Sequence, residues 1–198
     1  MFTGIIQAVG RVAAVEPAGA SVVLTVAVAG LDVSDVGIGD SIACNGVCLT
    51  VTSLSPGGFT VDVSQETLRV SAGFAAGIAV NLEKSLRLSD RLGGHLVSGH
   101  VDGVGIIAQI KQIDANREMR VRFPLTLGRY IARKGSITVN GVSLTVNAVA
   151  DDVFSLNLIP HTLAVTNLQD LNPGDRINLE IDLVARYVER MLESGNLG

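Results

Sequence analysis

The sequence predicts an all-β protein of two tandem, homologous, six-stranded antiparallel Greek-key-like β-barrels, followed by a C-terminal α-helix. Three observations predict this fold: a long internal repeat, short β-branched runs between turn signals, and a helical pattern at the end of the chain. The predicted division is residues 1–88 for the N-terminal barrel, 89–182 for the C-terminal barrel and 183–198 for the helix.

The internal repeat relates the two halves at an offset of 95 residues over most of its length. Residues 41–51 read SIACNGVCLTV and residues 136–146 read SITVNGVSLTV, so eight of eleven positions are identical at an offset of 95 residues. The series also pairs residues 3–4 with 98–99 at the same offset, and Asn-Leu-Glu at 81–83 with Asn-Leu-Glu at 178–180 at an offset of 97, so two residues are inserted in between. Similar strands alone would share apolar periodicity but not these identities. The two halves therefore arose by duplication.

Each half has the pattern of a small barrel. Residues 22–28, 59–63, 120–123 and 154–158 are β-branched or alternating runs bounded by glycine, proline and Asn-Gly turn signals. The Asn-Gly pairs at 45–46 and 140–141 predict tight hairpins because both residues tolerate positive φ. About six short strands in roughly 90 residues are typical of a closed barrel, which removes exposed sheet edges. Residues 84–94 form the predicted linker.

The end of the chain has a helical pattern without a counterpart in the first half. Its apolar residues recur on one helical face: Leu183, Val184, Tyr187, Val188, Met191 and Leu192. Two interpretations stay open, a helix that packs on its own barrel and a helix for oligomerisation.

Composition excludes several function classes. The formal charge is −4, which argues against binding to nucleic acid or an anionic membrane surface, and apolar runs are too short for a membrane helix. The start of the chain lacks the features of a signal peptide, so we expect a cytoplasmic location, with Cys44 and Cys48 as thiols. The cysteine and histidine spacing does not fit a zinc site, so we expect no metal.

Candidate chemistry lies beside the Asn-Gly turns. Alternation places Cys48 and Thr50 on one strand face, and Ser143 and Thr145 on the matching face of the second half. These polar pairs should point away from each barrel core, either as ordinary solvent-facing residues or as two related halves of a binding site. No standard hydrolase, metalloprotease or P-loop motif is present in the sequence.

The chain resembles the riboflavin synthase family over essentially its whole length. The motifs that carry the resemblance are MFTGI at 1–5, NGVCLTV at 45–51, ETL at 66–68, GGHLVSGH at 93–100, NGVSLTV at 140–146, IPHTL at 159–163 and NLEID at 178–182. The resemblance implies a dismutation of two 6,7-dimethyl-8-ribityllumazine molecules by four-carbon transfer, which gives riboflavin and 5-amino-6-(ribitylamino)uracil without a cofactor. It also implies a homotrimer joined by the C-terminal helices. Each active site would lie between the first barrel of one subunit and the second barrel of a neighbour.

The resemblance also implies site residues. The substrate site of the first barrel would comprise Gly4, Ile5, Ile6, Cys48, Leu49, Thr50, Asp62, Val63, Ser64, Gln65, Glu66 and Thr67. The substrate site of the second barrel would comprise Gly99, His100, Val101, Lys134, Ser143, Leu144, Thr145, Ile159, Pro160, His161, Thr162, Leu163 and Ala164. The implied catalytic candidates are Cys48, Ser143, Thr145, His100, Asp182 and Phe2.

The expected roles follow the implied reaction. Ser143, Thr145 and Asp182 would assist proton transfer, Cys48 or a water would add to the acceptor ring, and Phe2 would shape the pocket. Two positions depart from the family pattern: Val47, where cysteine is common, and His161, where glutamate is common.

Two alternatives to the enzyme stay open. A non-catalytic lumazine- or flavin-binding paralogue would share the fold but tends to lose the polar motifs of the second half, which are present here. A flavin-binding reductase barrel would need a following nucleotide-binding domain, which we do not expect.

Overall fold

The computed structural model describes residues 1–193. The first half forms a closed antiparallel barrel in the strand order β1-β2-β5-β4-β3-β6, which confirms the predicted fold class. Its strands are β1 (Ala8–Ala18), β2 (Ser21–Ala27), β3 (Ser41–Cys44), β4 (Val47–Ser55), β5 (Gly58–Val63) and β6 (Ala79–Lys84), with helix α1 (Gln65–Val70) after β5.

The second half repeats this topology as a curled seven-stranded sheet, ordered β10-β9-β13-β7-β8-β12-β11. Its elements are β7 (Gly103–Ile113), β8 (Asn116–Arg122), β9 (Ser136–Val139), β10 (Val142–Thr145), β11 (Ala148–Ala150), β12 (Val153–Leu158), α2 (Pro160–Val165) and β13 (Arg176–Ile181), with short 3₁₀ turns at Leu125–Tyr130 and Asn167–Asp170. It has seven strands instead of the predicted six because the counterpart of β4 is divided into β10 and β11 at residues 146–147.

Alternation along the strands builds a separate core in each half. Leu24, Val26 and Val61 are fully buried in the first, and Met119, Val121 and Leu156 in the second. Burial of each such side chain contributes roughly 1.5–3 kcal/mol. Because period-2 strands send every other residue outward, the same pattern leaves a polar outer face on both repeats.

The two repeats meet at their Asn-Gly turns. Asn45 and Asn140 have φ of 48° and 46°, and the glycines that follow have φ of 78° and 80°. A Cβ placed on Gly46 would lie 2.7 Å from the backbone nitrogen of Gly141, and a Cβ on Gly141 would lie equally close to the nitrogen of Gly46. The turns are therefore packed back to back, at a separation that only glycine allows.

Asparagine side chains join the turns. Asn81 Nδ2 donates to the carbonyl of Asn140 at 3.0 Å, and Asn178 Nδ2 donates to the carbonyl of Asn45 at 2.8 Å. Within the first repeat, the backbone nitrogen of Asn81 donates to Asn45 Oδ1. Within the second, the backbone nitrogen of Asn178 donates to Asn140 Oδ1. The four amides form a pseudo-symmetric, buried network across the interface.

The C-terminal helix α3 spans Leu183–Glu193, and residues 194–198 of the predicted helix lie outside the described residues. Asp182 Oδ1 accepts from Val184 N at 3.0 Å at its start. Ion pairs from Arg186 to Asp102 (2.7 Å) and from Arg129 to Glu189 (2.5 Å) attach the helix to the second repeat. In the part of the chain described, no helix is long and apolar enough to cross a membrane.

The interface predicts a large effect of a single methyl group. Gly46→Ala should lower the free energy of unfolding by about 2–4 kcal/mol, because the Cβ meets the opposite turn and the residue keeps a left-handed φ. Gly57→Ala is the matched control: its φ is 82° and nothing lies within 4 Å of the added Cβ, so it should lose only about 1 kcal/mol. Urea unfolding measures both. Equal losses would contradict the close contact of the turns.

Candidate functional site

The outer face of β4 carries the first group of candidate residues. Val47 and Leu49 are buried, whereas Cys48 is partly exposed and Thr50 is exposed. Strand β3 pairs with β4 so that Cys48 lies opposite Ala43 and Thr50 opposite Ser41. Cys48 and Thr50 therefore face away from the barrel core, next to the turn that joins the repeats.

The outer face of β10 carries the second group. Val142 and Val146 are buried, Ser143 is partly exposed and Thr145 is exposed. Leu144, the expected binding residue between them, packs against the core of the second repeat. The polar face of β10 thus reproduces that of β4, with a serine hydroxyl in place of a thiol.

Two loops, residues 4–6 and 99–101, each contact the polar strand of the other repeat, and we call them the crossing loops. The backbone nitrogen of Ser143 donates to the carbonyl of Gly4 at 2.8 Å, and that of Cys48 donates to the carbonyl of Gly99 at 2.8 Å. Ile6 packs against the core of the second repeat and Val101 against the core of the first. The structure therefore places residues 4–6 with Ser143 and residues 99–101 with Cys48, not in the grouping expected from the resemblance.

We name the two arrangements by their central residues. The Cys48 half-site is defined here as residues 48–50 with the loop 99–101, and the Ser143 half-site as residues 143–145 with the loop 4–6; the expected binding residues 62–67 and 159–164 are assigned to the half-site of their own repeat. In both, the glycine of the crossing loop has a positive φ, 75° at Gly4 and 78° at Gly99, and its Cβ would lie 2.6 Å from the Cβ of Ser143 or Cys48. The loops thus lie directly on the polar strands.

A short helix follows the fifth strand of the first repeat and its counterpart in the second, at the expected binding residues 62–67 and 159–164. In the first repeat, Ser64 Oγ accepts from Thr67 N at 3.1 Å to begin α1, and Glu66 pairs with Arg69 at 2.6 Å. In the second repeat, Pro160 occupies the first turn of α2. Several expected binding residues are exposed beside these helices: Asp62, Ser64, Gln65, Glu66, Ile159, Pro160, His161 and Ala164. Val63 is buried, and Thr67, Thr162 and Leu163 are partly buried.

Lys134 has an unusual backbone conformation for its residue type. Its φ is 68°, and its nitrogen donates to the carbonyl of Val146 at 2.7 Å. The first repeat has Gly39 at the same position, with φ of 96° and a bond to the carbonyl of Val51. An exposed lysine in a conformation that favours glycine therefore lies next to the end of β10, where the first repeat has no cation.

His95 is a site residue that the sequence interpretation gave no role. Its Nδ1 lies 2.7 Å from Ser143 Oγ, and its buried Nε2 has no partner among the described residues. Burial lowers the pKa of His95, and the nearby Asp182 carboxylate opposes this. A neutral imidazole on a serine hydroxyl, with a carboxylate nearby, is an arrangement that can move a proton.

The remaining catalytic candidates have different positions. Phe2 is fully buried with Ala43 and Val97, and its ring lies beneath Gly99 and Cys48, so it supports the half-site from below. His100 is exposed on the crossing loop of the Cys48 half-site, not in the Ser143 half-site.

The cysteines are both free thiols. Burial raises the pKa of Cys44 to about 12, so this thiol stays protonated, whereas Cys48 is partly exposed. Within residues 1–193 no group of three or more His, Cys, Asp and Glu side chains could hold a metal ion.

Comparison with known proteins identifies the family. The lumazine binding domain family matches residues 3–85 and 98–182. The riboflavin synthase of Photobacterium leiognathi is 47% identical over 195 residues, which cover 98% of this chain and 89% of the relative. That of Mycobacterium tuberculosis (strain ATCC 25618 / H37Rv) is 44% identical over 200 residues, covering 98% of this chain and 99% of the relative. The chain belongs to the riboflavin synthase family.

A solved structure supports the fold of this family member. The crystal structure of LumP complexed with riboflavin superimposes with a TM-score of 0.85, covering 91% of this chain and 99% of LumP, at 24% identity. At this identity the likeness concerns the fold. The two lumazine-binding repeats of the family correspond to the two halves described above.

The partly buried His95 predicts a pH-dependent stability. The unfolded chain protonates this imidazole near pH 6.5, whereas the native protein does so only at lower pH, so the native state loses stability as the pH falls below about 6.5. His95→Gln removes this loss. Its free energy of unfolding should therefore decline less between pH 7 and pH 5 than that of the wild type, measured by urea unfolding in matched buffers. Parallel declines would contradict the lowered pKa.

Proposed function

We propose that this chain is a riboflavin synthase. It joins two molecules of 6,7-dimethyl-8-ribityllumazine and transfers a four-carbon unit from one to the other, which yields riboflavin and 5-amino-6-(ribitylamino)uracil without a metal or cofactor. The observation that carries the proposal is the pair of pseudo-symmetric half-sites, around Cys48 and Ser143, since two related surfaces suit two identical substrates.

The comparisons support the same reaction. Relatives named riboflavin synthase align along nearly the whole chain. LumP, which has the same fold, has been crystallised with riboflavin and with 6,7-dimethyl-8-ribityllumazine. A purely ligand-binding role is the second candidate, and the polar residues of the Ser143 half-site favour the enzyme over it.

The protein's main contribution to rate is positioning. A methyl group on an electron-poor lumazine ring is already acidic. A site that holds two rings in register therefore lowers most of the activation barrier. Proximity and orientation supply roughly 7–11 kcal/mol in favourable cases. Backbone groups of the crossing loops and polar strands bind the ring edges, and the exposed Lys134 holds an oxygen of the substrate.

Residues of the Ser143 half-site carry out the proton transfer. The Ser143 hydroxyl lies between the substrate surface and His95, whose lowered pKa keeps it neutral and able to accept a proton. Asp182 stabilises the imidazolium that forms, since its carboxylate favours the charged ring. In the Cys48 half-site, the thiol or a water adds to the acceptor ring, and His100 lies at the edge.

The complete site needs two chains. The two half-sites belong to different strands of one chain, and we propose that the Cys48 half-site of one subunit faces the Ser143 half-site of a neighbour in a homotrimer. Helix α3 supports this assembly because Val184, Tyr187 and Val188 are at least half exposed although they form its apolar face.

We further propose the cellular location of the protein and its division into domains. These are a cytoplasmic location, with thiols that stay reduced, and the division into residues 1–88, 89–182 and 183–198.

Turnover is the direct test of the function. Purified protein incubated with 6,7-dimethyl-8-ribityllumazine should form riboflavin, followed by absorbance, with the uracil product in equal amount. Ser143→Ala should lower kcat by roughly 10²-fold, because the proton-transfer hydroxyl and its hydrogen bond to His95 are removed.

The matched control is Thr52→Ala, an exposed hydroxyl on β4 that bonds to Thr60 outside both half-sites; this variant should keep the wild-type rate. Tight lumazine binding without any turnover by the wild type would support the ligand-binding role instead.

Assembly has its own test on α3. Val188→Glu places a charge on the exposed apolar face, so it should dissociate the trimer and abolish turnover while the free energy of unfolding of the isolated chain changes little. Sedimentation velocity and the riboflavin assay measure both effects. The control is Ile113→Glu, at the far end of β7 and equally apolar and partly exposed. A fully active monomer in either variant would refute the intersubunit site.

A further inference from the structure

The repeated Asn-Leu-Glu sequence has no role in the reaction described so far. In β6, Leu82 is buried in the core, while Asn81 and Glu83 lie on the opposite face of the strand. Strand β13 repeats this with Asn178, Leu179 and Glu180. The asparagines join the turns between the repeats, which leaves the two glutamates to be explained.

Both glutamates are buried carboxylates that bind the crossing loops. Glu83 Oε1 accepts from Thr3 N at 2.7 Å and from Thr3 Oγ1 at 2.6 Å, and its Oε2 accepts from Gly4 N at 3.0 Å. Glu180 makes the same three bonds to Ser98 and Gly99, at 2.7, 2.6 and 3.0 Å. The same three hydrogen bonds to a glutamate therefore hold both crossing loops in the same geometry.

The burial of these groups is costly. Glu83 is 4% exposed and Glu180 is 2% exposed, and burial raises the pKa of both carboxyls. No ion pair to either glutamate occurs within residues 1–193. A carboxylate without a cation needs several aligned donors, and the loop N–H and hydroxyl groups are those donors.

Each glutamate acts on the half-site of the opposite repeat. Glu83 belongs to the first repeat, yet the Gly4 that it holds accepts from Ser143 N of the second repeat. Glu180 belongs to the second repeat, and the Gly99 that it holds accepts from Cys48 N of the first. A chain of hydrogen bonds therefore runs from each carboxylate across the interface to a polar strand.

We propose that Glu83 and Glu180 are cross-repeat positioning residues for the reaction: Glu83 sets the geometry of the Ser143 half-site, and Glu180 sets that of the Cys48 half-site. This inference rests on the proposed function. Each substrate ring then lies against a strand of one repeat and a loop fixed by the other. The two repeats cannot shift relative to each other without disturbing both half-sites.

The test uses Glu83→Gln and Glu180→Gln in the full-length protein. A glutamine keeps the shape but turns an NH₂ group toward a backbone N–H or hydroxyl, so the loop loses part of its anchor. Each variant should lower kcat at least tenfold in the riboflavin assay. Because the two positions are pseudo-symmetric, each variant is the matched control for the other.

Double-mutant cycles separate positioning from general destabilisation. Glu83→Gln should be non-additive in kcat with Ser143→Ala, and additive within about twofold with Cys48→Ser. Glu180→Gln should show the reverse pattern. A merely structural role predicts the same coupling to both half-sites, or none, and either result overturns the proposal, as does an unchanged kcat.

A second pair of variants and a second readout cover the cases in which a glutamine variant does not fold or the wild type does not turn over. If a glutamine variant does not fold, Thr3→Ala and Ser98→Ala remove one donor while keeping the carboxylate, and the same crossed coupling is expected. If the wild type binds lumazine without turnover, the proposed function fails, and the cycles are measured as lumazine Kd by fluorescence. Crossed coupling in Kd supports the positioning role independently of turnover, and its absence overturns it.

Discussion

The contact between Gly46 and Gly141 is the constraint on which the rest of the structure depends. The two turns approach so closely that neither position has room for a Cβ, and four asparagine side chains bind the carbonyls of the turns and the backbone nitrogens of β6 and β13. An unpaired buried amide would be costly, so the network is stable only with both repeats in this orientation. Strands β4 and β10 begin one residue beyond these glycines. The orientation of Cys48 and Ser143 is therefore fixed by the interface itself.

This arrangement explains how so aromatic-poor a chain can bind flat rings. Of its five phenylalanines, Phe59, Phe123 and Phe154 are buried in the two cores, and Phe2 is buried beneath the Cys48 half-site. The half-sites present thiol, hydroxyl and backbone groups instead. In the proposed reaction each substrate ring stacks mainly on its twin, so the protein needs to line only the ring edges. Two rings stacked on each other also reach the geometry for carbon transfer without a large aromatic pocket.

Local patterns predicted the faces of the strands but not the paths of the loops. The alternation of residues 47–51 and 142–146 gives the buried and outward positions correctly, because side-chain direction in a strand is set by the backbone. It carries no information about which loop lies on the outward face, so the crossing of Gly4 to Ser143 was not foreseen. His95 was missed for a related reason: the offset of 95 residues gives it no counterpart, so the repeat could not highlight it. The division of the β4 counterpart at residues 146–147 also has no clear sequence signal.

The differences between the two repeats matter as much as their likeness. Two identical substrates must take different parts, one giving carbon and the other receiving it, so two identical half-sites would have no means to distinguish them. The asymmetric residues lie around the common frame: Ser143 backed by His95 stands where the first repeat has Cys48, and Lys134 stands where it has Gly39. The shared glutamates and asparagines, by contrast, are unchanged and make equivalent contacts. Duplication thus supplies two half-sites of like geometry for two like molecules, and divergence on the polar strands supplies the chemical difference between them.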